Sequence, residues 1–335
     1  MQIKRSAWLV SLIAVLALVL TACGQAKQSK SSKTQQQITV VLDYTPNTNH
    51  SGMYLAMAKG YFKKAGLNVK VVQPPEDGAD GLVAAGKAGF GFSYQDVMSP
   101  HVAGKDKLPV TAIAAVVQHN TSGIMSRKAD NITRPKQMDN KRYATWNLPI
   151  EQAIVKTVVN QDGGKFSSIK MVPANFDDEV AALKSKKVDD IWVFEGWGKI
   201  NADVQGYPVN YFDFRKLNPT FDYYTPVIVG NDAYMKAHPD VTKKFVAAMR
   251  QGYTEAAKHP SEASDALMKA VPELKGSKKL IVASQKWLST QYLAEQKTWG
   301  KFDPARWNRF YRWLNDNKLV KSKIPDNTGF TNKYL

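Results

Sequence analysis

Short apolar runs and helical patterns alternate along the first two thirds of the chain, an order typical of proteins built from βα units. The run 38–43 is rich in β-branched residues and predicts a buried strand. A Pro/Asn/Thr loop follows it and leads into a helical pattern that begins at Ser51 and stops at Gly60. Further strands are predicted at 69–72, 89–94, 110–117, 141–146, 169–172, 188–195 and 209–214, and further helices at 78–87, 149–161 and 177–185.

Two segments are predicted to cross between halves of the molecule. Polar residues with a terminal glycine occupy 118–123, and an apolar run with a proline occupies 223–229. The element order therefore predicts an α/β fold of two lobes, the first formed by 38–121 and 227–335 and the second by 122–226. Open α/β sheets bind ligands at the carboxyl ends of their strands, so the loop after the first strand is a candidate site.

The last third of the chain is predicted to be helical. Apolar residues recur at helical spacing within 241–259 and 304–314, and we assign both stripes to the hydrophobic core rather than to a ligand. The first stripe holds Phe245, Met249 and Tyr253, and the second holds Trp307, Phe310, Tyr311 and Leu314.

Residues 1–22 are predicted to be a signal peptide. Lys4 and Arg5 form its positive end, and the apolar stretch 7–20 is of signal-peptide length but short for a membrane-spanning helix. No other segment of the sequence predicts a spanning helix.

The signal peptide ends in Leu-Thr-Ala before Cys23, the only cysteine of the chain, and this resembles a bacterial lipobox. Lipid attached to Cys23 would then anchor the protein, since two or more acyl chains hold a protein stably where one does not. The alternative is an ordinary secretory peptide with a chance cysteine. Residues 23–37 are almost devoid of apolar side chains and predict a flexible tether.

Composition narrows the possible functions. The 335 residues are 44% apolar and 22% charged, which is enough for two lobes that each have a core. A single cysteine excludes a disulfide framework and a multi-cysteine metal site, and we expect neither a metal nor another cofactor. The net charge of +17 comes from lysines scattered along the chain, without a nucleic-acid motif. We interpret the charge as a solvated surface near an anionic cell envelope and expect no nucleic-acid partner.

Five segments resemble one known family. They are Asp43-Tyr44-Thr45-Pro46-Asn47-Thr48-Asn49-His50, Ala58-Lys59-Gly60-Tyr61-Phe62, Gln118-His119-Asn120-Thr121-Ser122-Gly123, Phe194-Glu195-Gly196-Trp197 and Asp222-Tyr223-Tyr224-Thr225-Pro226-Val227. The family is that of ABC-transporter substrate-binding lipoproteins that take up a formylaminopyrimidine precursor of thiamine. It is related in fold to the pyrimidine synthases of fungal thiamine biosynthesis. The likeness runs from about Ile38 to the C-terminal residues, with Tyr44 where many relatives carry tryptophan.

The resemblance implies a type II periplasmic-binding-protein fold, with two α/β lobes, two crossover strands and a ligand trapped between the lobes. It also implies a lipid-anchored monomer on the extracytoplasmic face of a bacterial cell membrane. Its partners would be a permease and an ATPase of an ABC importer, to which it delivers a formylaminopyrimidine or hydroxymethylpyrimidine-like ligand.

Glu195 is the first candidate ligand contact, because it ends the apolar run 191–194 and so follows a predicted strand. A carboxylate can accept from both the exocyclic amine and a protonated ring nitrogen of an aminopyrimidine. The alternative is that Glu195 pairs with a lysine at the surface. Asn47 and Asn49 can each donate and accept, so they suit a ring nitrogen or an amide, although one of them could instead cap the following helix.

Aromatic residues at predicted strand ends and crossings are candidates to stack on the ligand ring. For any one of them, core packing suits the sequence equally well, and it is the set as a whole that indicates a pocket. The set is Tyr44, Phe92, Tyr94, Trp146, Trp197, Tyr223 and Tyr224.

An enzyme is the alternative class of function. The related synthases use a lysine that forms a Schiff base and a histidine that is consumed, but Ser93 and Val97 stand at the matching positions here. A Schiff base needs an amine, and no cysteine-rich segment lies near 217–224. Hydrolase motifs such as Gly-x-Ser-x-Gly and HExxH are absent from the sequence. We therefore expect no catalysis.

Other ligands are a closer alternative than catalysis. A binding protein of this kind could hold another ring ligand such as riboflavin, or a sulfonate, nitrate or taurine. An anion would favour arginine at the cleft, and the site segments carry none.

Overall fold

The computed structural model describes residues 35–75, 78–174, 176 and 178–335. The predicted signal peptide, the lipidation site Cys23 and the tether up to residue 34 lie outside the described residues. The first strand begins at Gln36, two residues earlier than its predicted start at Ile38. In the described part of the chain, no helix is both long enough and apolar enough to cross a bilayer.

Ten strands form two five-stranded sheets in the described part of the chain. In chain order they are β1 Gln36–Val41, β2 Leu67–Val72, β3 Phe90–Ser93, β4 Val110–Ala115, β5 Ser122–Arg127, β6 Arg142–Thr145, β7 Lys170–Pro173, β8 Asp190–Phe194, β9 Val209–Asp213 and β10 Val227–Asn231.

The α-helices cover the faces of these sheets. In chain order they are α1 Ser51–Ala58, α2 Tyr61–Lys64, α3 Asp80–Ala84, α4 Gln95–Met98, α5 Pro149–Gln161, α6 Glu179–Lys184, α7 Ile200–Val204, α8 Phe214–Leu217, α9 Asp232–Ala237, α10 Pro239–Lys258, α11 Pro260–Ala270, α12 Lys278–Leu288 and α13 Pro304–Asp316. A 3₁₀ turn, Thr48–His50, precedes α1, and a π-helical turn, Glu195–Lys199, joins β8 to α7.

The two sheets share one topology. The first has the strand order β2-β1-β3-β10-β4 and the second β7-β6-β8-β5-β9. In each, one strand runs antiparallel to its two neighbours: β10 beside β3 and β4, and β5 beside β8 and β9. These two strands arrive from the other sheet, so the crossovers 116–121 and 214–226 leave and enter at the carboxyl edges of the parallel strands. The loops at both carboxyl edges therefore lie on the side where the sheets are joined, which is where α/β sheets bind ligands.

The strand β5 was not predicted from the sequence, although the predicted crossing 118–123 overlaps the crossover found at 116–121. Ser122–Arg127 lies between β8 and β9 near the middle of the second sheet. Its only large apolar residues are Ile124 and Met125, too few to produce a strand pattern. Pairing on both sides stabilises it as a strand, which no local pattern could indicate.

Both predicted aromatic stripes of the C-terminal helices are buried, as expected of core residues. Trp307, Phe310, Tyr311 and Leu314 are at most 2% exposed. In α10, the backbone approaches α1 so closely that a Cβ on Gly252 would lie 2.1 Å from the carbonyl oxygen of Gly52. A glycine is required at this crossing, and the contact holds the turn before α1 against the C-terminal helices.

Candidate functional site

The turn after β1 is ordered by its own side chains. Asn47 caps the 3₁₀ turn, since its Oδ1 accepts from the amide of Asn49 at 2.9 Å. The amide of Asn47 donates to Nδ1 of His50 at 3.1 Å, so Nδ1 is an acceptor and the ring proton is on Nε2. That proton is donated to Oδ1 of Asp43 at 2.6 Å. The capping role anticipated for one asparagine therefore belongs to Asn47.

Asp43 is a buried carboxylate at the end of the first strand. Burial acts to raise its pKa, but the adjacent His50 ring and the Tyr94 hydroxyl outweigh burial and lower it. Phe92 packs against the histidine that bonds to Asp43: its ring meets the His50 ring edge-on, with ring centroids 4.7 Å apart. Phe92 and Tyr94, both predicted from sequence as site residues, thus lie beside the Asn47 turn.

Two tyrosines from the C-terminal half hold the carbonyl groups of this turn. Tyr253 in α10 donates to the carbonyl oxygen of Asn49 at 2.7 Å, and Tyr292, which follows α12, lies 2.9 Å from that of Thr48. Both rings are fully buried. The sequence pattern predicts Tyr253 as a core residue only and gives no signal for Tyr292. Each of these hydrogen bonds joins residues more than two hundred positions apart in the sequence, so no local pattern could indicate it.

Glu195 follows β8 directly, at the carboxyl edge of the second sheet, as predicted. Its amide donates to the carbonyl oxygen of Thr121 at 2.8 Å, which ties the residue to the first crossover. Burial, and next the nearby Asp213 carboxylate, raise the pKa of Glu195. In the described part of the chain, no hydrogen bond or ion pair within 4.0 Å holds its carboxylate, so the alternative of a surface pair with a lysine is not what the structure has.

A single hydroxyl links the Asn47 turn to the Glu195 turn. Ser284, fully buried in α12, lies 2.6 Å from the hydroxyl of Thr48 and also donates to the carbonyl oxygen of Gly196. A serine has no sequence signal for this position. The structure therefore joins the turns that carry Asn47 and Glu195, the two strongest sequence candidates, through a residue that sequence reasoning missed.

The predicted aromatic residues divide by exposure. Tyr44 and Trp146 are 54% and 41% exposed, and each follows a strand end, of β1 and β6 respectively. Trp197 is half-buried and packs against the hydrophobic core of the first sheet, although it follows a strand of the second. Their contact with a ligand stays a prediction.

Tyr223 and Tyr224, also predicted as ligand contacts, are fully buried in the second crossover. Tyr223 stacks on Phe310 with ring centroids 4.2 Å apart, and the hydroxyl of Tyr224 accepts from the amide of Asp303 at 2.7 Å. Both side chains have packing partners within the protein, which is the core interpretation weighed from sequence. Their contact with a ligand stays a prediction.

Glu151 organises the loop that carries Trp146. Its buried carboxylate accepts from the hydroxyls of Tyr143 and Thr145 at 2.6 and 2.9 Å, and from the amides of Trp146 and Leu148 at 3.3 and 3.2 Å. The sequence showed only a glutamate near the start of a helix. Four donors converging on one carboxylate hold the loop in position, so the exposed indole is presented by a rigid support.

The two crossovers are joined by a histidine. In the first, His119 has Nδ1 2.8 Å from Asp222 of the second crossover and Nε2 2.8 Å from Glu295. Since carboxylates only accept, both contacts require a doubly protonated ring. The hydrogen bond with Asp222 raises the pKa of His119, while contacts with His119 and Arg306 outweigh burial and lower the pKa of Glu295 to about 2.

Arginine is closer to the site than the sequence segments indicated. Arg215 lies near enough to Glu195 to oppose the rise of its pKa, but its guanidinium is paired with Asp213 at 3.1 Å. Arg306 likewise is occupied by Asp222 and Glu295. Both guanidinium groups are thus neutralised by carboxylates of the same chain.

The positions compared with the synthases lie at the first sheet. Ser93 ends β3 and its hydroxyl contacts the Asp80 carboxyl, while Val97 is exposed in α4. Within the described residues, no group of three or more His, Cys, Asp or Glu side chains could hold a metal ion.

A family model described as NMT1/THI5 like matches residues 47–263, well over half of the chain and inclusive of both the Asn47 and the Glu195 turns. The chain belongs to the NMT1/THI5-like family. Family membership confirms the resemblance noted from the sequence motifs.

The proteins similar in sequence to this chain include binding proteins and enzymes. The formylaminopyrimidine-binding protein of Halalkalibacterium halodurans is 24% identical over 95% of this chain and 96% of its own length. The Saccharomyces cerevisiae protein THI11, a 4-amino-5-hydroxymethyl-2-methylpyrimidine phosphate synthase, is 21% identical over 89% of this chain and 88% of its own. The relatives of this chain thus include both functional classes weighed from the sequence, a binding protein and a synthase.

Among solved structures, the periplasmic aliphatic sulphonate binding protein SsuA of Escherichia coli has a TM-score of 0.65 at 15% identity. It covers 86% of this chain and 90% of that one. The likeness concerns the fold alone. It confirms the predicted periplasmic-binding-protein fold of two α/β lobes joined by two crossovers.

Proposed function

We propose that the protein captures a thiamine pyrimidine precursor, formylaminopyrimidine or a hydroxymethylpyrimidine-like molecule, between its lobes. The observation that carries this is the position of Glu195: a half-buried carboxylate without a protein partner among the described residues, at the sheet edge that faces the crossovers. The name of the Halalkalibacterium relative supports the ligand class.

The chemistry of an aminopyrimidine matches this carboxylate. The exocyclic amine and the protonated ring nitrogen donate side by side, and a carboxylate accepts both, a charge-assisted contact that stabilises the complex by about 1.5–3 kcal/mol or more. Burial raises the pKa of Glu195, which means that its unpaired charge is disfavoured in the unliganded protein. A positively charged ring that pairs with the carboxylate would relieve this cost, and an amide at the same position could not pair with that charge.

Further ligand contacts are proposed for residues that follow strands of both sheets. The side chain of Asn47 already caps the turn through Oδ1 and donates through Nδ2 to the carbonyl oxygen of Thr45 at 3.0 Å. A ligand would use the second lone pair of Oδ1 or the second proton of Nδ2. Because His50 and Tyr253 hold the turn, little ordering is needed when a ligand binds. Tyr44 and Trp146 project exposed rings from the two carboxyl edges, and each ring stacked on the pyrimidine would add about 0.5–1.5 kcal/mol. A ligand that touches both lobes only when they close shifts the population toward the closed form.

Membrane attachment and transport belong to the same proposal. The lobe boundaries at 121–122 and 226–227 divide the mature chain, and lipid on Cys23 anchors it to the extracytoplasmic face of the cell membrane through the tether. The protein acts as a monomer that hands its ligand to an ABC permease driven by an ATPase. Mass spectrometry of the membrane fraction tests the anchor, and an unmodified Cys23 in a soluble fraction would contradict it.

We further propose that the protein binds without catalysis. Ser93 offers a hydroxyl where a Schiff base would require an amine. Incubating the protein with formylaminopyrimidine, with and without pyridoxal phosphate and iron, and separating the products by chromatography tests this. Recovery of the unchanged pyrimidine is expected, and formation of any new pyrimidine would overturn the proposal.

Isothermal titration calorimetry on residues 36–335, which form one compact unit, tests the ligand. The panel is formylaminopyrimidine, hydroxymethylpyrimidine, thiamine, riboflavin and an alkanesulfonate. We expect the pyrimidines to bind most tightly, and Glu195→Gln to weaken them by about tenfold or more because the amide loses one acceptor and the charge. Glu273→Gln, an exposed carboxylate, is the matched control. Unchanged affinity in Glu195→Gln would show that Glu195 does not contact the ligand. Tighter binding of riboflavin or the sulfonate than of the pyrimidines would show that the proposed ligand is wrong.

A further inference from the structure

The helix α12 lies between the two turns of the candidate site. On one side it packs against α11, which itself contacts α1 beside the Asn47 turn, and on the other it contacts α7 and the Glu195 turn. We propose that Ser284 of α12 is a positioning residue that couples the Asn47 turn to the Glu195 turn. The proposal rests on the proposed function for its ligand, but the coupling itself does not require that ligand.

The protons of the three groups determine the direction of each hydrogen bond. Gly196 offers a carbonyl oxygen, which only accepts, so the single hydroxyl proton of Ser284 is donated to it. Thr48 must then donate its own hydroxyl proton to Oγ of Ser284 across 2.6 Å. The result is a directed chain from Thr48 through Ser284 to Gly196, in which the middle hydroxyl both accepts and donates.

Each end of this chain is adjacent to a proposed ligand contact. Thr48 follows Asn47, and Gly196 follows Glu195. Thr48 and Ser284 are at most 2% exposed, so water does not compete for these hydrogen bonds. A shift of one turn therefore changes the hydrogen bonding of the other, although their strands belong to different sheets.

Tight packing leaves little freedom around the chain. A Cβ on Gly196 would lie 3.1 Å from Cζ3 of Trp287 and 3.3 Å from Cδ2 of Leu288, both in α12. On the other side, the hydroxyl of Tyr292 lies 2.9 Å from the carbonyl oxygen of Thr48 and 3.2 Å from Oε1 of Gln285, which is also in α12. The helix is thus in contact with both turns through packing and hydrogen bonds, and Ser284 is where they meet.

Coupling of this kind acts chiefly on ligand release. Removing the hydroxyl lets the two turns move independently, so one ligand contact can open while the other persists. We expect Ser284→Ala to raise the dissociation rate of formylaminopyrimidine about fivefold, while its association rate stays within about twofold. Stopped-flow fluorescence measures both rates. Ser289→Ala is the matched control, since Ser289 lies just after the same helix and its hydroxyl donates to the nearby carbonyl oxygen of Lys286 at 2.7 Å.

A double-mutant cycle separates coupling from general destabilisation. If Ser284 acts through the Glu195 turn, the affinity lost in Ser284→Ala with Glu195→Gln is smaller than the product of the two single losses. A purely structural role would give independent losses. Ser284→Cys, which retains a weak donor near the size of serine, is expected to recover part of the affinity; if it behaves like alanine, or if the losses are independent, the proposal is overturned.

Hydrogen exchange tests the coupling without ligand. We expect Ser284→Ala to speed amide exchange in both 47–50 and 194–197, and Ser289→Ala to speed it in neither. Faster exchange in one segment alone would overturn the coupling. If the unmodified protein binds none of the pyrimidines and yet both segments respond, the proposed ligand is wrong and the coupling stands.

Discussion

The Nε2 atom of His50 lies 2.6 Å from Oδ1 of Asp43, and both side chains are almost fully buried. His50 also accepts the amide proton of Asn47, so one ring supports both the carboxylate and the turn. His50→Ala should lower the free energy of unfolding by about 3 kcal/mol, because it leaves a buried carboxylate and an amide without their partner. Urea denaturation at neutral pH measures it. His101→Ala, at an exposed site, should change little; a loss below about 1 kcal/mol for His50→Ala would contradict this network.

The bridge at His119 predicts a pH dependence. Asp222 and Glu295 face its two ring nitrogens, with Arg306 beside both carboxylates. The pKa of His119 is raised by the hydrogen bond with Asp222, so the folded protein holds the proton more tightly than the unfolded chain. The stabilisation is complete below the unfolded pKa of about 6.5 and is lost as pH rises through the higher folded value.

Thermal unfolding between pH 6 and 9, on the unmodified protein and on His119→Gln, measures this effect, and the fall in stability over about one to two pH units should be absent from the variant. His101→Gln should keep it. A slope that survives in His119→Gln would assign the dependence to another group.

The four donors around Glu151 predict a cost for losing its charge. Glu151→Gln places an amide NH₂ against donors from Tyr143, Thr145 and the loop backbone, and should lower the free energy of unfolding by about 1.5–3 kcal/mol. Because the loop carries Trp146, its tryptophan fluorescence should also shift toward the solvent-exposed position. Glu273→Gln is the control for both measurements, and unchanged stability together with an unchanged spectrum would exclude a supporting role.

The contact between Gly196 and Trp287 predicts the effect of one methyl group. Gly196→Ala requires α12 to move by a few tenths of an ångström, since the new Cβ would lie 3.1 Å from the indole. Overpacking of this kind should destabilise the protein by about 1–3 kcal/mol and weaken pyrimidine binding. Gly276→Ala, where a Cβ meets open space before the same helix, should do neither. Equal behaviour of the two variants in denaturation and calorimetry would show that the turn can relax.

Much of the fold was predictable because it depends on local pattern. The helix predicted at 149–161 is found at Pro149–Gln161, and the run before Glu195 is the strand β8. Hydrophobic periodicity and the Gly or Pro residues that end an element are properties of neighbouring residues, so they can be read without tertiary information. The strand β5 was missed because its stability comes from β8 and β9 on either side, not from its own side chains.

The candidate site shows the same division. Asn47 and Glu195 could be chosen from sequence, since each follows an apolar run that predicts a strand, and the carboxyl ends of strands are where such folds bind ligands. Tyr223 and Tyr224 are candidates for a different reason, since they lie in a predicted crossing, and the structure packs both rings inside the protein. Position in a crossing does not indicate whether a ring packs in the core or faces the cleft, so their contact with a ligand stays a prediction.

By itself, the sequence determined the α/β class and the order of most elements, and it placed Asn47 and Glu195 after strands of the two sheets. The tertiary structure alone decided that Ser284 joins the two turns, because its partners Thr48 and Gly196 lie 236 and 88 residues away. A hydroxyl on a helix carries no trace of a distant partner. Its hydrogen bonds exist only once packing has removed water and brought separate parts of the chain within reach.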